Sequence, residues 1–186
     1  MTQTLTRSYD NYETARAVVE RLEAGGIRSA DISVVGHHEK ANDSHYQKAD
    51  DSNAGEGAGI GAALGGAAGL LAGIGLIAIP GIGPVVAAGW LASTAAGAAA
   101  GGVTGGVIGA FTNAGHSEED ANYYAETVRR GGSVVSVRVA DEQVPAVEAI
   151  LDGATPIDRD TRLAEYREGG WNRFDEAGAP YRPPVV

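Results

Sequence analysis

The segment Ala78-Ile79-Pro80-Gly81-Ile82-Gly83-Pro84 reverses the chain in the middle of a stretch, residues 57–117, that contains no Lys, Arg, Asp or Glu. Its prolines and glycines cannot continue a helix. On either side glycines recur every fourth residue. Gly57, Gly61, Gly65, Gly69 and Gly73 precede the turn; Gly89, Gly97, Gly101, Gly105 and Gly109 follow it, with Ser93 in the one gap. A spacing of four lines up small residues on one helix face, where a second backbone can approach closely. The pattern predicts a helical hairpin with arms at 58–79 and 85–112, about 33 Å and 42 Å long at about 1.5 Å per residue. Each is long enough for a hydrocarbon core of about 30 Å. Glycine in a water-exposed helix costs up to about 1 kcal/mol relative to alanine, so such arms must be buried in lipid or in other copies of the chain.

Working outward, the flanks alternate strand and helix patterns. Leu5 to Tyr9 reads as a strand, Asp10 or Asn11 as a helix cap, and Ala15, Val18, Val19 and Leu22 as the apolar face of that helix, which Gly25-Gly26 ends. Ile32 to Val35 is a second strand. Beyond the hairpin, Ser117 and Asp120 form a capping box for a helix through Ala121, Tyr124, Ala125 and Val128, closed by Gly131-Gly132. Ser133 to Val139 is a strand, Val144, Val147, Ile150 and Leu151 mark a short helix, and Pro156-Ile157-Asp158 is placed as an edge strand. The order βαβ, hairpin, αβαβ predicts an α+β fold, a small ferredoxin-like sandwich interrupted by the long Gly/Ala-rich hairpin. Its parts are the first half of the α+β domain (1–36), a polar linker (37–56), the glycine-zipper hairpin (57–115), the second half (116–160) and an Arg/aromatic tail (161–186).

The net charge of −10 over 186 residues argues against nucleic acid or an anionic lipid surface as an electrostatic partner. There is no cysteine, hence no disulfide framework and no thiolate ligand or nucleophile. Met1 to Arg7 lacks the apolar core of a signal peptide, which places the expected location in the cytoplasm or on the cytoplasmic face of the inner membrane.

Several of these segments together resemble a known family. Arg7-Ser8-Tyr9-Asp10-Asn11, Ala15 to Leu22, Asp31-Ile32-Ser33-Val34-Val35, the turn at Ala78 to Pro84, Glu118-Glu119-Asp120-Ala121 with Tyr124, and Gly131 to Val137 are similar to bacterial general-stress or heat-induced proteins of the YflT-like type carrying an inserted glycine-zipper hairpin. The resemblance spans about 4–158. Where that family commonly has Gly-Ile-Pro before its acidic helix start, this chain has Gly115-His116-Ser117. The resemblance implies a stress-associated protein that is not an enzyme, and it carries over no catalytic residue.

The residues themselves give no competing chemistry. His37, His38 and His45, with Glu39 and Asp43, have the donor types of a divalent metal site, but a solvated linker is the preferred reading, and no metal or cofactor is assigned. His116 reads as part of a helix start. The glycine runs never complete a dinucleotide fingerprint after a strand, and no Lys follows Lys48 to complete a phosphate loop. The tail gathers Arg162, Tyr166, Arg167, Trp171, Arg173, Phe174, Tyr181 and Arg182. Tyr166, Trp171, Phe174 and Tyr181 are the candidates for docking on a partner, with a tail folded over its own domain as the alternative. The expected protein self-associates through its hairpin into a homo-oligomer, at a membrane by preference, or else as a soluble assembly with the hairpins buried between subunits. No small-molecule substrate is indicated.

Overall fold

The computed structural model describes residues 1–37, 75–79, 81–91, 94 and 106–178. The linker positions 38–56, the first glycine run and most of the second lie outside the described residues.

Along the chain run β1 (Thr2–Tyr9), α1 (Tyr12–Ala24), β2 (Ile32–Gly36), β3 (Gly75–Ile79), β4 (Gly83–Gly89), α2 (Gly106–Asn113), α3 (Glu118–Arg129), β5 (Ser133–Ala140), α4 (Val144–Asp152) and α5 (Arg159–Glu168). They build one five-stranded sheet in the order β1-β5-β2-β4-β3. Every neighbouring pair is antiparallel. β1 and β2 therefore run parallel to each other with β5 inserted between them. The capping signals act as expected: Asn11 accepts from the Thr14 amide and Ser117 from the Asp120 amide, each satisfying one of the amides left open at a helix start.

Three expectations are corrected. The chain does reverse between Ile79 and Gly83, with the Ile82 amide bonded to the Ile79 carbonyl at 3.1 Å. The turn joins strands, however: Leu76 pairs with Val86 and Ala78 with Pro84, so 75–79 and 83–89 are not helical arms. The neighbouring β2 offers Val86, Ala87, Ala88 and Gly89 a ready hydrogen-bonding edge, which an isolated Gly/Ala helix lacks. Second, the fold is α+β, but where a small ferredoxin-like sandwich is expected, helices cover both faces of the sheet, because the alternation along each strand feeds two cores. Val34, Val86, Val135, Val137 and Val139 face α1 and α4. Val35, Val85, Ala87 and Val134 face α2, α3 and α5. Third, Pro156 to Asp158 is not a strand. Only the Ile157 amide reaches β1, at the Ser8 carbonyl (2.8 Å), and Asp158 instead caps α5 through the Thr161 amide.

Gly89 has a local reason. It closes β4 at φ +87°, and a Cβ there would lie 2.2 Å from the Ile32 carbonyl oxygen. No side chain fits between β4 and β2 at this point.

Candidate functional site

The C-terminal arm, residues 156–178, reaches several separate elements of the fold. α5 turns Leu163 and Tyr166 inward, at 4 % and 5 % exposure, and leaves its arginines to reach across to other elements. Arg159 Nε lies 2.5 Å from Asp120 Oδ1, Arg162 pairs with Asp10 at 3.0 Å, and Arg167 pairs with Glu119. Burial works against the Asp120 carboxylate, but hydrogen bonds from Ser117 and Arg159 outweigh it and hold the carboxyl below its usual range. After α5 the chain turns at Gly170, and the Trp171 amide donates to the Tyr166 carbonyl at 3.0 Å. Phe174 donates its amide to Asn122 Oδ1 at 2.9 Å. Its ring, 2 % exposed, lies over the β3–β4 turn. The fit there is close: a Cβ on Gly81 would come within 2.5 Å of the Asp175 carbonyl oxygen.

Beside this arm is a cleft of about 430 Å³ lined by Glu126 and Arg129 of α3 and by Trp171, Asn172, Arg173 and Asp175. The Glu126 side chain is 1 % exposed. It receives Arg129 through both carboxylate oxygens, at 2.7 and 2.5 Å, and Arg130 at 2.6 Å. The Arg130 guanidinium also covers the Tyr166 ring at 4.5 Å. A buried carboxylate that accepts three hydrogen bonds from two guanidiniums is an anchor for the cleft wall.

Under α2 and α3 the sheet carries hydroxyls. Thr6 and Ser136 face each other at 2.9 Å, Ser8 meets the Tyr123 hydroxyl at 2.9 Å, and Ser33 donates to the Ala88 carbonyl at 2.9 Å. His116 Nε2 lies 2.8 Å from Thr6 Oγ1, with the imidazole ring edge-on to Phe111 and Tyr124. Burial pushes the His116 pKa down, against the opposing charge of Asp120, and pushes the Tyr124 hydroxyl up to about 12. Thr6 and His116 have the types of a nucleophile and base, but Thr6 is only 5 % exposed and shares its hydroxyl with Ser136. The Asp120 carboxylate, which would have to orient the imidazole, is bonded to Ser117 and Arg159. The arrangement locks the α2–α3 connection onto β1.

The candidate residues fall into three groups. Gly57, Gly61, Gly65, Gly69, Gly73, Gly97, Gly101 and Gly105, along with Tyr181, His38 and His45, lie outside the described residues. Gly89 serves strand pairing rather than helix packing. Gly109 is helical, but no described atom lies within 4 Å of its Cβ position. Of the docking candidates, Tyr166 and Phe174 are spent on the chain's own core, and Trp171 is half-buried against the same cluster, with its ring edge-on to Tyr166 at 5.9 Å. His37 follows β2 and is half-buried, its pKa pushed down by burial. Among the described residues no three His, Asp or Glu side chains are grouped to hold a metal ion, and no helix is long and apolar enough to cross a membrane. Glu126 was not singled out by sequence reasoning. The signal was available as Glu126-Thr127-Val128-Arg129-Arg130, where one acid precedes two arginines at i+3 and i+4 on a helix.

No curated protein and no solved structure matches the chain. One family model does, that of the heat induced stress protein YflT domain, over residues 4–77. The matched stretch covers β1 from Thr4, α1, β2 and the start of β3, and the strand that joins β1 to β2 in the sheet, β5, comes from beyond it. Over that stretch the chain is similar to the YflT domain.

Proposed function

We propose that this chain is a stress-response protein that acts by associating with further copies of itself and not by turning over a substrate. The observation that carries the reading is the similarity of residues 4–77 to a heat induced stress domain, joined to an uncharged stretch at 57–117 whose glycines recur at helix-packing spacing. The glycine runs at 57–73 and 97–105 supply the self-association. β3 and β4, which lie between the two runs in the chain, belong to the same sheet as β1, β2 and β5. The protein works in the cytoplasm or on the cytoplasmic face of the inner membrane.

Between the two modes of association, one observation favours the assembly buried between subunits. The sheet uses Gly75–Ile79 and Gly83–Gly89, so the apolar first arm loses Leu76, Ile77 and Ile79. What remains of it, 58–74, would reach about 25 Å as a helix, short of a hydrocarbon core of about 30 Å. Membrane insertion is the second reading.

The test has two parts. Protein abundance is followed across a heat shift in the native cell, where a rise supports the stress role and an unchanged level refutes it. The protein is then fractionated with an alkaline carbonate wash and sized with and without detergent, alongside a Gly65→Leu/Gly101→Leu variant. A discrete, detergent-independent oligomer that the variant loses supports assembly through the glycine runs. Carbonate-resistant pelleting reversed only by detergent selects membrane insertion, and an unaltered oligomer in the variant overturns the role of the glycines.

A further inference from the structure

We infer that the C-terminal arm, residues 156–178, is exchanged between two copies of the chain, with Thr155 as the hinge. Three observations converge on this, none of which involves the glycine runs.

The first is the hinge itself. Among the described residues Thr155 is the one non-glycine with positive φ, at +49°. A β-branched residue is strained in that left-handed region. Thr155 also precedes Pro156, and the position before proline favours extended backbone. The turn that folds the arm back onto its own chain thus sets Thr155 against both preferences. Opening the hinge to extended backbone satisfies both. The connection between α4 and α5, 153–158, can then span up to about 20 Å at 3.3–3.6 Å per residue.

The second is that the arm is a separable unit. Its anchoring contacts reach elsewhere in the chain: Ile157 to β1, Arg162 to Asp10 at the start of α1, Tyr166 and Phe174 to α3, and the segment around Phe174 to the β3–β4 turn. A second copy presents all of these partners in the same geometry, so an exchanged arm recovers every contact that a folded-back arm makes.

The third is charge. The arm offers Arg159 and Arg167 to the acidic start of α3, where Glu119 and Asp120 receive them. These pairs of opposite charge are local, and they fix the register of an arm on the start of α3, whether that seat belongs to its own chain or to a second copy.

The chain has no cysteine, so single thiols can be placed at will. Copies carrying only Glu119→Cys are co-expressed with copies carrying only Arg167→Cys, and the purified protein is treated with a short bifunctional maleimide. A covalent dimer joining the two kinds of copy is the expected result, because those positions meet across copies only when an arm is exchanged. A chain carrying both substitutions that cross-links only to itself, with no product between the single-cysteine copies, overturns the proposal. An oligomer built through the glycine runs alone gives that negative pattern, so failure here leaves the proposed function untouched. Two hinge variants sharpen the test. Thr155→Gly accepts φ +49° and is expected to lower the dimer association constant about tenfold, a change of about 1.4 kcal/mol. Deleting Ala154 and Thr155 prevents the arm from folding back and is expected to give dimers only. A folded monomer after that deletion overturns the proposal.

Discussion

Under α1 and α4 the sheet presents Ile32, Val34, Val86, Val135 and Val137. Under α2 and α3 the same strands present Thr6, Ser8, Ser33 and Ser136 among Val35, Val85 and Val134. The apolar face gains its stability from area removed from water, at about 25 cal/mol per Å², and that gain is not directional. The hydroxyl face gains less from area but is selective. Each buried hydroxyl must find its partner, and an unsatisfied one costs about 1–3 kcal/mol. A one-residue slip of β1 on β5 would bring Thr6 and Ser8 onto the hydrocarbon side and break their contacts with Ser136 and Tyr123. The two faces divide the work: one supplies most of the driving force, the other fixes register and the seating of α3.

The largest expected effect lies on the second side. Glu126→Ala removes a fully buried carboxylate and leaves the guanidiniums of Arg129 and Arg130, 20 % and 28 % exposed, without it, and should cost about 3–5 kcal/mol. Thermal unfolding would show this as a fall of roughly 10 °C or more, at about 2–4 °C per kcal/mol for a chain of this size. A fall of only a degree or two would mean that α3 is held by its apolar contacts, and that the contrast between the faces is one of composition only.

Leu22→Ala tests the opposite face. Leu22 is fully buried on the inner face of α1, and its truncation should cost about 3 kcal/mol, read as a lower urea midpoint with an unchanged slope. A changed slope would show that α1 detaches from the sheet as a unit.

The apolar face was also the legible one. Ala15, Val18, Val19 and Leu22 recur at helical spacing, and Val135, Val137 and Val139 at strand spacing, so period and core agree. The caps at Asn11 and Ser117 were legible for the same reason, since their signals are local. What the sequence did not disclose depended on partners distant along the chain. Leu76 to Ile79 and Val85 to Ala88 are apolar runs flanking a Gly/Pro turn, a hairpin signal in either helical or strand form. The free edge of β2 is what makes strands of them. The arginines and aromatics of the tail leave open whether it docks on a partner or folds over its own domain, because nothing local says that Asp10, Glu119 and Asn122 receive it. The similarity at 4–77 shows the same limit. That stretch supplies β1 and β2, yet they are joined only through β5, some sixty residues beyond its end.

A finer test measures how directional the hydroxyl face is. Ser8→Ala and Tyr123→Phe each remove one side of a buried hydrogen bond and should each cost about 1–2 kcal/mol. The double variant should cost less than the sum by about 1 kcal/mol, because the second substitution removes the group that the first left unsatisfied. Strict additivity would mean that each hydroxyl finds another partner, as Tyr123 could with Thr127, which lies close enough to lower its burial-raised pKa.

The smallest effect is the one that pH brings out. Burial among Phe111, Tyr124 and Thr6 lowers the His116 pKa, so the folded state prefers neutral imidazole more than the unfolded chain does, whose value is near 6.5. Between the lowered folded value and about 6.5 the unfolded chain binds more protons, and stability rises with pH across that window. The contribution is fully present above about pH 6.5 and is lost as pH falls through the folded pKa. His116→Gln keeps a group able to bond Thr6 but does not titrate. The stability advantage of the native chain over this variant should therefore shrink between pH 7 and pH 5. His37, whose pKa burial also lowers, titrates in both proteins and cancels in the difference. Asp120, the acid that opposes the shift, is itself held below its usual range and stays ionised throughout the interval. Parallel stability curves for the two proteins would mean that the ring turns out to solvent when protonated, which would make the α2–α3 junction the soft point of an otherwise register-fixing face.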